Sequence, residues 1–455
     1  MTEYVDLHDG MSTRRPSPKL AHTPQARDAA DASTADASTA GTPDSRPAVA
    51  VVGLGYVGLP TALALRSSGA GVIGIDTSES RLQDLRAGNV DVVPRDLARL
   101  ADAVDQPDFA LTADPRATRG ADAVLLCVPA PADEQRLEDA EAFFAACAAV
   151  VDSAVTGQLL VLTSTSSVGT ARALLAEPLQ QRGFRPGSDV FVAAAPERVD
   201  PGNAEQLPER TPRVVGGIGP GSTDRAAALL SRICGSVHRV ATAEAAEMSK
   251  LWENSFRAVN AALSNELADG CNALGLNPLE VVEAAATGPR GFMPFYPGAG
   301  AGGHRVPQSL LERLRPRDAA PGLVDAAMRS LADRPGALVE RIVEVAARRG
   351  IAVRGARILV LGVAYKPGVA DLRGSPALEI IERLLALGAS VDYTDERVPT
   401  VEIAGAVLTS VADPAAHEWD LVVVHTPRTD VDVVELGRSC PVLDATCRWS
   451  ARSDL

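Results

Sequence analysis

The stretch Ala48-Val49-Ala50-Val51-Val52-Gly53-Leu54-Gly55-Tyr56-Val57-Gly58-Leu59-Pro60 decides the fold. Five small and β-branched apolar residues read as a buried strand, and the G-x-G-x-x-G after them opens a helix. Asp76 closes the next strand-like run, 23 residues after Gly53. A lone G-x-G-x-x-G is weak evidence, but the strand before it, the helix after it and the acid beyond complete the pattern. Gly53 permits the tight turn, Gly55 lets the backbone approach a pyrophosphate, and Gly58 lets helix and sheet pack closely. The helix N-terminus offers N–H groups to the anion. Asp76 accepts hydrogen bonds from a ribose 2′-hydroxyl and repels a 2′-phosphate, so NAD is expected rather than NADP. The bland alternative is a glycine-rich turn beside an ordinary surface acid.

Outward from this turn, strand-like and helical runs alternate to about residue 240. The expected strands are Ala48–Val52, Gly71–Ile75, Ala123–Val128, Leu159–Thr163, Val190–Ala194 and Val214–Gly217. The expected helices include Leu59–Ser68, Glu138–Asp152 and Thr223–Ile233. This alternation predicts a parallel, doubly wound sheet. Between 241 and 290 the strand signal is lost. Ala245–Leu274 reads as one long helix, and Pro278–Ala286 as another with proline near its start. A Gly/Pro/aromatic loop, Gly288–Pro307, follows. A helix over Gly336–Arg349 then leads to strands Arg357–Gly362, Ser390–Tyr393, Leu421–His425 and Val442–Asp444, with a helix over Pro376–Leu387. The fold class is therefore α/β: two Rossmann-like doubly wound domains joined by a central helical domain. The expected divisions are a disordered tail over 1–46, which carries the repeat Asp31–Ala40, then 47–240, 241–335 and 336–455.

Composition narrows the function. Lys plus Arg is 44 and Asp plus Glu is 58, a formal net charge of −14. That balance excludes a protein that coats nucleic acid by neutralising phosphates, while a small anionic ligand needs only local cations. No apolar run is long enough to span a bilayer, so no membrane partner is expected. The six cysteines show no C-x-x-C spacing, which argues against a zinc ribbon, and no metal site is expected. Their low density points to a reducing cytoplasm rather than a disulfide scaffold.

Further segments carry a family resemblance. They are Cys127-Val-Pro129-Ala130-Pro131, Ala195-Pro-Glu197-Arg-Val-Asp-Pro-Gly202, Lys250-Leu-Trp-Glu-Asn254-Ser-Phe-Arg-Ala-Val-Asn260, Gly291-Phe-Met-Pro-Phe-Tyr-Pro-Gly298, Gly302-Gly-His304, and Gly362-Val-Ala-Tyr-Lys366-Pro with Asp371-Leu-Arg373-Gly-Ser-Pro376. Their order resembles the UDP-glucose/GDP-mannose dehydrogenase family, and the aromatic loop looks most like its bacterial UDP-N-acetylhexosamine branch. The resemblance implies an NAD-dependent oxidoreductase acting on a sugar CH–OH in polysaccharide or glycoside biosynthesis, with a homodimer built on the central helices. Tyr56, Val57, Arg81 and Pro129 would complete the cofactor site with Gly53, Gly55, Gly58 and Asp76. Lys250 and Asn254, on one helix face by their i, i+4 spacing, would hold the reacting hydroxyl and stabilise the developing oxyanion. A desolvated Lys250 near another cation, such as Arg305, would titrate low and act as base. Glu197 would assist water and proton movement, with a structural salt bridge to Arg198 or another base as the alternative. Phe292, Phe295, Tyr296, Gly298, Gly303, His304, Lys366 and Arg373 would bind the UDP-sugar.

Four positions depart from the pattern. Members oxidise an alcohol to a carboxylate in two hydride transfers, trapping the aldehyde on a cysteine that follows Gly-Gly-His. Here that position is Arg305, and none of the six cysteines lies in the loop. The acid four residues later is Ser309, the threonine of the first motif is Ala130, and the glutamate before Ser-Thr on the next strand is Thr163. A terminal Asp-x-Arg is also replaced, by Asp444-Ala-Thr446. A guanidinium stays protonated and has no usable nucleophilic lone pair, so Arg305 cannot form a thioester. Cys271 reads as a packed thiol, and Cys127 follows an apolar strand. The expected activity is a two-electron oxidation. A non-catalytic nucleotide-sugar-binding homologue, or a four-electron enzyme working through an aldehyde hydrate, are the alternatives.

Overall fold

The computed structural model describes residues 48–130, 137–198, 208–288, 291–300, 310, 311, 314, 321–428 and 430–447. The first sheet contains β1 (Ala48–Val52), β2 (Gly71–Ile75), β3 (Phe109–Thr112), β4 (Ala123–Leu126), β5 (Leu159–Leu162), β6 (Phe191–Ala194), β7 (Arg213–Gly217) and β8 (Val237–Arg239). Its order is β3-β2-β1-β4-β5-β6-β7-β8. β1, β4, β5 and β6 are buried along almost their whole length, as the apolar runs require of strands covered on both faces. The covering helices are α1 (Gly58–Ser67), α2 (Glu79–Ala87), α3 (Pro94–Ala103), α4 (Leu137–Ser153), α5 (Glu177–Gln181) and α6 (Pro220–Leu230). Two apolar clusters fill the two faces of this sheet.

The expectation of a wholly parallel sheet needs one correction. β7 runs antiparallel to β6, with Ala193 opposite Gly217, and β8 then pairs parallel to β7. Apolar runs report burial, not direction, so this reversal has no signature in them. β3 and β8 lie at the sheet edges and are only partly buried, which is why neither stands out as an apolar run.

The middle of the chain folds as α7 (Ala243–Ala273) and α8 (Pro278–Ala286). Thr242 caps α7 by accepting from the Ala245 N–H at 3.1 Å, as an N-cap threonine should. The helix expected from Gly336 instead starts at Gly322 and runs unbroken to Arg348 as α9, with Pro335 inside it. An interior proline removes one helical hydrogen bond and crowds the preceding turn, yet packing on both sides holds the helix together. Ala327 and Leu331 pack with Ala258 and Ala262 of α7, while Leu338, Ile342 and Val345 enter the core of the second sheet. One helix thus crosses the 335/336 division drawn from sequence.

The second sheet has the order β10-β9-β13-β14, from β9 (Arg357–Leu361), β10 (Ser390–Thr394), β13 (Leu421–Val424) and β14 (Val442–Asp444). All its pairs are parallel. A hairpin of β11 (Thr400–Ile403) and β12 (Ala406–Thr409) lies beside it, with α10 (Pro376–Ala386) and α11 (Val433–Ser439) as its helices. The expected α/β class, doubly wound at both ends and helical between, is what the chain forms. In each sheet the first strand is flanked by partners on both sides, so its C-terminal end opens at a switch point where ligands bind in such folds.

Candidate functional site

The first switch point lies between β1 and β4. Gly53 turns there with φ of 87°, a left-handed conformation that favours glycine. A Cβ on Gly58 would stand 1.7 Å from the Gly53 carbonyl oxygen, whereas one on Gly55 would meet nothing within 4 Å. The first contact explains close packing of α1 on the turn; the second leaves open space above the backbone. Val57, the N-cap of α1, has no side chain that caps it, so an anion is suited to the helix end. Asp76 is fixed at the rim by the Leu54 N–H at 2.9 Å and the Ser78 N–H at 3.0 Å. Arg81 donates through Nε and Nη2 to the Leu54 carbonyl at 3.1 and 3.0 Å. Open space over Gly55, an uncapped helix and an acid at the strand end fit a dinucleotide with a free 2′-hydroxyl. Pro129 is exposed beyond β4.

A second cluster forms where α7 passes the end of β6. Lys250, Asn254 and Glu197 are brought together there. Lys250 is half-buried, and its pKa is lowered, first by burial and then by the Arg257 cation; Glu253 and Glu197 oppose the shift and Arg198 reinforces it. The cation expected beside Lys250 is therefore supplied, among the described residues, by Arg257 and Arg198; Arg305 lies outside those residues, as do Gly303, His304 and Ser309. Asn254 is buried and its Oδ1 accepts from Arg257 Nη2. Glu197, 8 % exposed, pairs with Arg213, 1 % exposed, and also accepts from the Arg198 N–H at 2.8 Å. The Arg198 side chain pairs with Glu253.

Sequence reasoning missed Arg213, Arg257 and Glu253; Arg198, expected as a salt-bridge partner of Glu197, instead gives Glu197 its backbone N–H, and Arg213 is the ion-pair partner. Of those missed, only Arg257 had a legible signal, its spacing of three from Asn254 and seven from Lys250 on one helix face.

All six cysteines are free. Cys127 would lie 3.2 Å from a Cβ on Gly58, so it borders the cofactor turn. It is buried, and its thiol is pushed up to about 12, first by burial. Thr163 Oγ1 lies 3.1 Å from Cys127 Sγ and 2.7 Å from the Leu126 carbonyl. Such a thiol supplies almost no thiolate near neutral pH. Cys271 is half-buried on α7 rather than packed away as expected.

The aromatic loop is anchored on α7. Ser264 Oγ donates to the Phe295 carbonyl at 2.9 Å, and Asn265 Oδ1 accepts from the Gly298 N–H at 2.8 Å. Phe295 meets Phe256 edge-on with centroids 5.9 Å apart, while Phe292 and Tyr296 are exposed. Past β9, Gly362 turns with φ of 76°, and Asp395 Oδ2 accepts from the Val363 N–H at 2.9 Å. This repeats the arrangement of Gly53 and Asp76. Lys366 Nζ lies 5.7 Å from the Tyr365 ring centroid. Arg373 is engaged with Asp371 through Nε at 2.9 Å and Nη2 at 2.5 Å, so its charge is shared with a neighbour two residues away. Thr446 donates twice to the buried Asp444.

The segments that follow β1, α2 and β10 meet at the cofactor turn. Tyr56 Oη donates to Asp91 at 3.4 Å, and Arg397 beyond β10 pairs with the same Asp91 at 2.8 Å. Burial, then the carboxylates of Asp91 and Asp371, holds the Tyr56 hydroxyl above its usual range. The segment carrying Asp371 and Arg373 therefore faces the G-x-G-x-x-G turn.

Family models match three consecutive stretches of the chain. These are the UDP-glucose/GDP-mannose dehydrogenase family NAD binding domain over residues 47–234, its central domain over 244–331 and its UDP binding domain over 359–447. The NDP-N-acetyl-D-galactosaminuronic acid dehydrogenase of Ralstonia solanacearum is 33 % identical over 422 residues, covering 89 % of this chain and 96 % of that protein. The UDP-N-acetyl-D-glucosamine 6-dehydrogenase of Pseudomonas aeruginosa is 30 % identical over 385 residues, covering 83 % and 87 %. Among solved structures, the UDP-D-ManNAc dehydrogenase of Pyrococcus horikoshii aligns with a TM-score of 0.78 at 29 % identity, covering 87 % of this chain and 94 % of that one. No helix among the described residues is long and apolar enough to cross a membrane.

Proposed function

Because the chain belongs to the UDP-glucose/GDP-mannose dehydrogenase family, whose members are NAD-dependent nucleotide-sugar oxidoreductases, we propose that it performs a single two-electron oxidation of a UDP-linked N-acetylhexosamine. One CH–OH of the sugar becomes a carbonyl, its hydrogen leaving with the electron pair as hydride and the hydroxyl proton leaving to a base. Bound NAD supplies the hydride acceptor. Gly53, Gly55, Gly58 and the first turn of α1 hold the pyrophosphate, and Asp76 takes the ribose hydroxyl. Lys250 receives the hydroxyl proton, Asn254 donates to the developing alkoxide, and Glu197 passes protons onward. Phe292, Phe295, Tyr296, Lys366 and the Arg373–Asp371 pair are assigned to the nucleotide side together with Gly298, and by the resemblance Gly303 and His304 would also bind the sugar.

The observation that carries this reading is the thiol inventory. Arg305 stands where the resemblance implies a nucleophilic cysteine, and the one thiol beside the cofactor turn, Cys127, is buried and titrates at about 12. Purified protein is offered NAD with UDP-GlcNAc, UDP-ManNAc, UDP-glucose or GDP-mannose, and NADH is counted against sugar consumed. One NADH per sugar with an aldehyde or ketone product is expected. Two with a uronate refute the two-electron reading, and none with any sugar favours a binding homologue. Arg305→Cys alone is expected to yield no uronate, because Ser309 and Thr163 also stand where the resemblance implies acids; uronate from it would show that the rest of the site still supports the second oxidation.

Two further parts of the reading rest on surface and thiols. Trp252, Phe256, Leu263 and Leu267 of α7, with Leu274 at its C-cap, are exposed. At about 100° per residue they fall within roughly 60° of one another, on the side away from Lys250, Asn254 and Arg257. This stripe would be buried in a homodimer. Six free cysteines suit the cytoplasm.

A further inference from the structure

Arg257 is the third polar side chain on the reactive face of α7. Its Nη2 donates to Asn254 Oδ1. The neighbouring arginines are neutralised, Arg198 by Glu253 and Arg213 by Glu197. Arg257 instead meets a neutral amide, and among the described residues it has no carboxylate partner. An asparagine amide is two-faced: its oxygen only accepts and its nitrogen only donates. An alkoxide forming on the sugar needs the nitrogen, and the oxygen would repel it. A guanidinium has five donors and no acceptor, so only the amide oxygen can face it.

Resting on the reading that this face handles the sugar hydroxyl, we propose that Arg257 is a positioning residue for the reaction: by holding Asn254 Oδ1 it commits the Asn254 Nδ2 donor to the reacting oxygen. The same cation faces Lys250. The charged groups around that amine are Arg257 and Glu253 from α7, and Glu197 and Arg198 from the segment after β6. With Glu253 and Glu197 each bonded to an arginine, Arg257 remains as the uncancelled charge. It favours the neutral amine that can accept the hydroxyl proton.

The test uses the full-length protein, NAD, and UDP-N-acetyl-D-mannosamine or whichever of the four sugars turns over fastest. Arg257→Met, Arg257→Lys, Asn254→Ala and the double variant Arg257→Met/Asn254→Ala are compared. Arg257→Met is expected to lower kcat by about a hundredfold, the scale of a lost oxyanion donor, with the KM for NAD changed by less than about threefold. Arg257→Lys, which restores a charged donor, is expected to recover most of the loss. Compared at a pH high enough that Lys250 is neutral in every variant, the double variant should fall no further than Asn254→Ala alone, because Arg257 then acts only through the Asn254 amide. Losses that multiply in the double variant, or a kcat within about threefold of wild type in Arg257→Met, overturn the proposal. An Asn254→Ala protein with undiminished kcat overturns the reading of the α7 face itself, and this proposal with it. A readout without turnover is Lys250 acylation followed by mass spectrometry across pH. Its midpoint should move to higher pH in Arg257→Met, and an unmoved midpoint refutes the part of the argument that concerns Lys250. If Arg257→Met fails to fold, Arg257→Gln keeps a donor without the charge and takes its place in each comparison.

Discussion

The same substitution at two glycines of one turn separates folding from cofactor binding. A Cβ on Gly58 would sit 1.7 Å from the Gly53 carbonyl oxygen and 2.9 Å from its carbon. Both partners are backbone, so no side chain can swing aside. Contacts below 3.0 Å are essentially never seen for real Cβ atoms, so α1 must retreat from β1 by at least about 1.3 Å. Overpacking of that kind costs about 1–3 kcal/mol, and a shift of about 1 Å in a positioning element is enough for a hundredfold loss of rate. Gly58→Ala is therefore expected to lose both stability and NAD affinity. A Cβ on Gly55 meets nothing within 4 Å. Gly55→Ala should leave stability unchanged or raise it by about 0.4–1 kcal/mol through the unfolded chain. The added methyl nevertheless occupies the space where a pyrophosphate would approach, and at least about tenfold weaker NAD binding, about 1.4 kcal/mol, is expected. Urea unfolding followed by tryptophan fluorescence reports the first quantity and isothermal titration with NAD the second. If Gly55→Ala binds NAD within about threefold of wild type, the pyrophosphate does not lie over Gly55 and the cofactor placement is wrong.

Three other outcomes follow from particular contacts. Trp252→Glu with Leu267→Glu places two charges in the exposed stripe of α7, where the wild-type side chains are 69 % and 61 % exposed; sedimentation is expected to show a dimer becoming a monomer, and an unchanged sedimentation coefficient removes α7 from the interface. Removing either partner of the buried Glu197–Arg213 pair strands a charge and should destabilise by about 3–5 kcal/mol; Glu197→Gln with Arg213→Met should cost clearly less than the two losses added, and strict additivity in urea unfolding excludes a coupled pair. His425 is buried, which lowers its pKa to about 4 against an ordinary value near 6.5. The folded state thus resists a proton that the unfolded chain accepts. Its stabilising share is complete above about pH 6.5 and is lost as pH falls toward 4, a total of about 3 kcal/mol. His425→Asn should flatten that acid slope, and parallel slopes for both proteins contradict a neutral His425.

What was legible in the sequence follows burial. β1 and β2 match their expected bounds residue for residue, because a strand covered on both faces must be apolar throughout. The edge strands β3 and β8 face partly outward, so their residues carry no such constraint. The helix expected only from Gly336 extends back through Pro335 to Gly322; proline weakens a helix locally, but the packing that overrides it comes from α7 and from the second sheet, both remote in sequence. The site divides in the same way. Lys250, Asn254 and Glu197 could be picked out from their motifs as a candidate cluster, and the structure brings them together. Their partners could not be picked out, since Arg213 lies at the start of a strand otherwise buried throughout and Arg257 looks like any solvated helix arginine. Arg373 is the converse case. It was chosen as a cation for a diphosphate, yet Asp371 two residues before it was in plain view and holds its guanidinium.

The partners of these side chains also bear on how many electrons the site removes. A first hydride transfer needs a base for the hydroxyl proton and a donor for the growing alkoxide, the two roles proposed for Lys250 and Asn254 on one helix face. A second transfer needs the aldehyde converted to an adduct, by a thiol or by water activated on a base. The thiol position holds Arg305. At the strand end where the resemblance implies a second acid, Thr163 turns its hydroxyl inward to the Leu126 carbonyl and Cys127 Sγ, so it is engaged with the sheet. Glu197 remains, but its two oxygens are occupied by Arg213 Nη2 and the Arg198 N–H. Each element of the second step is missing or engaged, while the residues proposed for the first, Lys250 and Asn254, share one face of α7. That asymmetry, more than the lost cysteine alone, is the argument for an oxidation that stops at the carbonyl.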